Sequence, residues 1–245
     1  MLFDSVPPEK RRYLLQDTFT FSCHRELSCF NACCRNKHLP LSPYDVLRLK
    51  RALKVDSDTF LVDYAVYALD PVSGFPVISL KMREDERKSC PFVGPEGCGV
   101  YHDRPTACRL FPLGRASRSG GNGRSRDQFF FMQELPGCLG GGESRTWTVE
   151  AWLKDQGVLP YIAVNDKMLD LLFHPNRPIG KPLDDRQLQK LIVACYNLDE
   201  FRDFVAKSKL LDASRLDRKT RSRIETDETA MLMFGFAYLT ATLFP

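Results

Sequence analysis

Eight of the nine cysteines of this 245-residue chain fall in its first 140 positions, and that asymmetry limits the fold more than any other feature. They are Cys23, Cys29, Cys33, Cys34, Cys90, Cys98, Cys108 and Cys138; only Cys195 lies beyond. The opening MLFDSVPPEKRRY has no apolar core of the kind a secretory signal carries and reads as an exposed arm, so the expected compartment is the cytoplasm. In a reducing compartment clustered thiols serve as metal ligands more often than as disulfides. The texture around them agrees. CPFVGPEGCGVYHDRPTACRLFPL and PGCLGGG hold too much Pro and Gly to order themselves by burying a core, so something else must staple them.

Composition decides smaller questions. With 43% apolar residues the chain can bury a core, and its formal charge of +4, spread along the sequence, gives no case for a nucleic-acid binder. The longest apolar stretch, Met231 to Phe244, is shorter than the roughly 18 to 20 residues that span a bilayer, so it reads as a buried core helix and no membrane span is expected.

Local signals place the elements. Ser42-Pro43-x-Asp45 starts a helix whose Val46, Leu49 and Leu53 share a face. Residues 64 to 69 and 76 to 82 flank a Pro/Gly turn and predict a hairpin. RASRSGGNGRSR (115 to 126) reads as a solvated loop that could touch phosphate, and DQFFFMQEL (127 to 135) as a buried strand. After Thr148, which can cap a helix before Gly157, the pattern is helical. Asp184 opens another helix, Phe201, Phe204 and Val205 continue the apolar pattern, and Thr226-Asp227-Glu228 opens the last helix. Cys195 is spaced as a core residue on one of them.

The expectation is an α+β protein: a loop-dominated, cysteine-rich half with a small antiparallel sheet (1 to 147), and a half of roughly four helices (148 to 245), packed into one compact unit. The stretches 23 to 34 and 90 to 138 must then meet.

The spacing runs C-x5-C-x3-C-C, then C-x7-C-x9-C, then Cys138. No C-x2-C knuckle of ordinary zinc modules and no ferredoxin run is present. Asn36 stands where a radical-SAM triplet would need cysteine. Soft thiolates suit zinc or an iron-sulfur cluster and disfavour magnesium, calcium or a facial-triad iron. Adjacent Cys33 and Cys34 should not easily aim at one small tetrahedral ion, whereas a wider cluster or two neighbouring sites could use both; the expected cofactor is an iron-sulfur cluster, 4Fe-4S by preference, with zinc as the alternative. His24 and His102 sit beside motif cysteines and could join a mixed site; His38 and His174 are weaker candidates.

The run Cys29-x3-Cys33-Cys34-Arg35, Cys90-Pro91-Phe92, Cys98-x2-Tyr101, Arg104-Pro105-x2-Cys108-Arg109-x-Phe111-Pro112 resembles the YkgJ-type cysteine-cluster family, whose CxxCxxCC core is described as zinc- or iron-chelating. The resemblance covers about residues 19 to 113 and ranks Cys29, Cys33, Cys34, Cys90, Cys98 and Cys108 first as ligands, ahead of Cys23 and Cys138. It also implies a more distant similarity to flagellin lysine N-methylase, a SAM-dependent enzyme acting on a protein substrate. Here Gly120-Gly121-x-Gly123 and Gly140-Gly141-Gly142 lack the strand-to-helix context a SAM or dinucleotide site needs. Arg104 and Arg109 flank Cys108 and could balance a cluster's charge or merely clamp loop carbonyls; Tyr101 is expected to pack its ring and tie a loop. No Ser/His/Asp order, GxSxG elbow, Walker loop or HExxH pattern names a catalytic residue. The reading is a cytoplasmic metalloprotein serving redox, sensing or support of a modification reaction, with a protein partner or protein substrate. A structural zinc interaction module and a SAM-dependent methyltransferase are the alternatives.

Overall fold

The computed structural model describes residues 11–71, 74–118, 127–177 and 183–244. The opening arm, the middle of the 70-to-74 turn, and Gly120, Gly121 and Gly123 with most of the Arg/Ser/Gly loop lie outside them.

In chain order the strands are β1 (Thr18–Thr20), β2 (Ala65–Leu69), β3 (Pro76–Leu80), β4 (Val93–Gly94), β5 (Gly97–Cys98), β6 (Leu113–Arg118), β7 (Asp127–Met132) and β8 (Thr146–Thr148). The helices are α1 (Pro43–Leu53), α2 (Ser57–Tyr64), α3 (Thr106–Leu110), α4 (Val149–Asp155), α5 (Leu159–Leu172), α6 (Asp185–Cys195), α7 (Leu198–Lys207), α8 (Leu210–Ala213), α9 (Arg218–Thr226) and α10 (Glu228–Leu243). The class is α+β, with two-stranded antiparallel sheets β1–β8, β2–β3, β4–β5 and β6–β7. Contacts divide the chain into a first unit, 1–39 with 82–160, and a second, 40–81 with 161–245.

The first unit gathers around aromatic rings. Strand β1 pairs with β8 and brings Phe19 and Phe21 edge-on to Trp152, at 5.9 and 5.7 Å between centroids. Trp147 meets Trp152 at 5.2 Å, and Phe21 meets Phe111 at 5.7 Å. Both indoles are satisfied, Trp152 Nε1 donating to the Leu110 carbonyl (3.1 Å) and Trp147 Nε1 to that of Phe21 (3.0 Å), as buried amphipathic rings require. Thr148 caps α4 as expected, accepting from the Ala151 N–H. Strand β7 corrects the expectation of a buried strand: Phe130, which also bridges to Tyr13, is buried, but Phe129 and Phe131 are half-buried and Gln128 is exposed.

The second unit is built mostly of helices. Ser42 and Asp45 cap α1 reciprocally, Asp184 and Gln187 do the same for α6, and Asp227 caps α10. Helix α10 buries Met231, Leu232, Gly235, Phe236, Leu239 and Leu243, and no helix among the described residues is long and apolar enough to cross a membrane. At Gly235 a Cβ would stand 2.5 Å from the Ala194 carbonyl oxygen, so α6 approaches α10 more closely than alanine allows. The predicted hairpin is β2–β3. From Val149 on there are seven helices among the described residues rather than four, because the chain breaks at Tyr196, Ser208 and Ser214 and Asn197, Lys209 and Asp217 open new helices.

Helix α1 also carries an ionic knot. Lys50, with a side chain only 6% exposed, places Nζ 2.9 Å from Asp199 and 2.7 Å from Glu228. Asp199 further accepts from the Ser57 N–H and hydroxyl, and Arg51 pairs with Glu228. Burial alone would raise the pKa of both carboxyls, but the bonds from Lys50 with those from Ser57 and Arg51 outweigh it and hold them below the ordinary range.

Candidate metal centre

All eight candidate cysteines belong to the first unit, on loops and short elements fixed by backbone hydrogen bonds. The segment after β1 carries Cys23, and the Ser22 N–H donates to the Gly140 carbonyl at 3.0 Å. Gly140 is obligatory there, since a Cβ would lie 2.5 Å from the Phe21 ring and 2.7 Å from the Ser22 carbonyl oxygen. The Leu139 N–H donates to Cys29 Sγ at 3.3 Å, so the turn following Cys138 also meets the Cys29 loop. Gly140-Gly141-Gly142 is thus a 3-10 turn packed on Phe21, not a strand-to-helix phosphate loop.

Cys33 and Cys34 lie on a second 3-10 turn, Ala32–Cys34, entered through Asn31 in the left-handed region (φ 65°). An antiparallel bridge joins Arg35 to Ser89, and the Cys90 N–H donates to the Cys34 carbonyl at 2.8 Å, which sets Cys90 beside the pair. The tight β4–β5 hairpin carries Cys98, whose register partner Val93 donates to the Cys90 carbonyl. Cys108 sits in the single turn of α3, followed by the aromatic cluster at Leu110 and Phe111.

The thiols influence one another throughout. Cys23 lies within electrostatic reach of Cys29, Cys33 and Cys138, Cys34 within that of Cys33, Cys90 and Cys108, and Cys98 within that of Cys90 and Cys33. Burial pushes Cys23, Cys90 and Cys98 up, and neighbouring thiolates push further. Cys34 is raised chiefly by its hydrogen bond to Cys33. Cys33 is lowered by the same bond, which outweighs its burial, with Lys37 helping. Of these five thiols, Cys33 alone is shifted toward ionisation.

None of the nine cysteines is in a disulfide. Among the described residues, no three His, Cys, Asp or Glu side chains are gathered tightly enough to hold a metal ion. The thiols come from separate segments and sense one another's charge, with Arg83 and Arg104 nearby, and thiolate is a donor type that both zinc and iron accept.

One expectation is corrected. Cys33 Sγ and Cys34 Sγ stand 4.0 Å apart, close to the roughly 3.8 Å that separates two thiolates on one tetrahedral ion at about 2.3 Å. The 3-10 turn brings the neighbouring side chains together, so adjacency does not forbid a shared ion.

Arg109 clamps carbonyls: Nε donates to Arg104 (3.0 Å), Nη1 to Gln156 (2.6 Å) and Nη2 to His102. Arg104 bonds the Tyr101 carbonyl and Gln156 Oε1 (both 2.6 Å), lies over the Tyr101 ring at 3.8 Å, and senses the charge of Cys108 and Cys98. Tyr101 ties the loop through its carbonyl as expected, but its ring is 53% exposed rather than packed inward. His24 faces Glu143 at 3.3 Å, His102 meets the Tyr101 ring edge-on, and His174 stacks on Phe244 in the second unit. Cys195 is buried, 2% exposed, in that unit, where burial raises its pKa. What sequence reasoning missed are the loop contacts through Asn31, Arg83 and Gly140; of these only the Gly140 run carried a signal, read as a turn.

In comparison with known proteins, a family model matches residues 22–136: CxxCxxCC, described as a "putative zinc- or iron-chelating domain". No curated protein and no solved structure gives a significant match.

Proposed function

Because residues 22–136 carry the CxxCxxCC zinc- or iron-chelating domain, we propose that the first unit is an iron-sulfur module of a redox, sensing or modification-supporting protein of the cytoplasm. The observation that carries this reading is the set of eight mutually influencing thiols, a soft donor set of the kind that iron-sulfur clusters take. Its ligands are drawn from Cys29, Cys33, Cys34, Cys90, Cys98 and Cys108, then Cys23 and Cys138. A cluster would supply a site for one-electron transfer. The chain's own residues supply the rest: Arg104 offsets thiolate charge, Arg109 fixes the loop before Cys108, and the ring cluster holds both ends of the motif.

A second reading is zinc, favoured by the 4.0 Å between Cys33 Sγ and Cys34 Sγ. The test is metal and acid-labile sulfide content in single Cys→Ser variants of anaerobically purified protein. Iron and sulfide that fall together at Cys34, Cys90 or Cys108 support the cluster. Zinc without sulfide, lost at Cys33 and Cys34, replaces it with a structural module.

A further inference from the structure

A cleft of about 410 Å³ opens in the first unit, lined by Phe30, Asn31, Arg35, Arg83, Arg87, Ser89, Val93, Gly94 and Pro95. Three arginines are among its lining residues, and none of those residues is acidic. Among the described residues, no carboxylate pairs with the side chain of Arg35 or Arg87. Arg83 donates to the Pro91 carbonyl at 2.6 Å, which leaves it charged and anchored. Glu84, Asp85 and Glu86 stand between Arg83 and Arg87 in sequence, all exposed and none of them lining the cleft, and Asp85 accepts from the Ser89 N–H at 2.8 Å.

The frame is fixed rather than floppy. The Arg35–Ser89 bridge, the Asn36 N–H to Lys88 carbonyl bond (2.9 Å) and the Arg83 N–H to Ser89 carbonyl bond (2.8 Å) hold the three arginine-bearing positions on adjoining backbone. Asn31 Nδ2 reaches the Gly94 carbonyl at 3.2 Å and ties in the opposite wall. That wall, Phe30, Val93 and Pro95, is apolar. A cleft lined by both arginines and apolar residues suits an anion carried on an organic body, because guanidinium forks bind phosphate oxygens in pairs and apolar side chains cover the remainder.

We propose that this cleft binds a small organic diphosphate, with the phosphates on Arg35, Arg83 and Arg87 and the organic part against Phe30 and Val93. The site does not depend on which metal the thiols take, although its walls are the loops that carry Cys29, Cys34, Cys90 and Cys98.

The test is calorimetric titration of the purified full chain with inorganic pyrophosphate and with ADP at low salt, metal content being measured before and after. Both probes should bind, ADP at least as tightly as pyrophosphate. Arg87→Gln and Arg35→Gln, both exposed positions, should each weaken binding about tenfold or more. Lys154→Gln, an exposed lysine paired with Glu150, should leave it unchanged. No binding at millimolar probe, affinity indifferent to Arg35 and Arg87, tighter binding of citrate, or heat that tracks metal loss would each overturn the proposal. A chain that binds pyrophosphate but holds no iron would end the iron-sulfur reading and leave this one standing.

Discussion

The two units order themselves by different means. The second buries apolar side chains along almost every element, from Leu41 to Leu80 and again from Tyr161 to Phe244, and closes with the Lys50–Asp199–Glu228 knot. The first relies on one knot of rings around Trp152, and its thiol-bearing loops bury little that is apolar. A core made by burial is stable as the chain stands. Loops made of Gly, Pro and Cys need a ligand to finish them.

That contrast predicts a graded set of responses. The largest follows metal removal by anaerobic chelation: hydrogen exchange at 22–36, 88–110 and 135–142 should accelerate by orders of magnitude, since metal binding in small modules is roughly the whole of their folding free energy. Exchange in α6, α7 and α10 should hardly change, and equal acceleration in both units would break the comparison.

Next comes Lys50→Ala, which removes the cation that Asp199 and Glu228 share and leaves Glu228 to Arg51 and Asp199 to Ser57. Urea denaturation should show a loss of about 1 to 3 kcal/mol in the second unit, with metal content untouched. Gly140→Ala works in the opposite unit. Its Cβ would collide with Phe21 and the Ser22 carbonyl, so it should cost about 1 to 3 kcal/mol and reduce bound metal, because it displaces the segment before Cys23.

Acid should act through the ionic knot. Asp199 and Glu228 have folded-state pKa values below their unfolded ones, so their contribution is complete above about pH 4 to 5, the unfolded carboxylate range, and is lost as pH falls through the lower folded values. Stability measured from pH 6 down to pH 3 should decline, and the decline should flatten in Lys50→Ala. The smallest effect belongs to Cys195→Ser. Metal content should not move, and the thiol should resist alkylation in the native protein, because it is buried and its pKa is raised.

Much of the second unit was legible because its signals are local. Ser42 with Asp45, Asp184 at the start of α6 and the acidic Asp227-Glu228 at the start of α10 are signals read within a few residues, and the apolar faces repeat at helical spacing. Lys50 was not legible: on α1 it looks like any solvated lysine until the fold brings Asp199 and Glu228 to it. In the first unit the residue types of the site could be read, but not their arrangement. Nothing local shows that Cys34 shares a hydrogen bond with Cys90, that Gly140 packs on Phe21, or that Asn31 turns the chain so that Cys33 and Cys34 face each other. The charge of Arg35 and Arg87 was visible in the sequence. The cleft that gathers them appears only when segments 30–35 and 83–95 pair.

The account turns on what the thiols of the first unit hold. The most direct measurement is the ratio of iron to acid-labile sulfide in the anaerobically purified chain, read beside its visible spectrum. Iron and sulfide in equal amounts, with absorption near roughly 400 nm, is the predicted result. Stoichiometric zinc without sulfide, or protein free of metal, would contradict it.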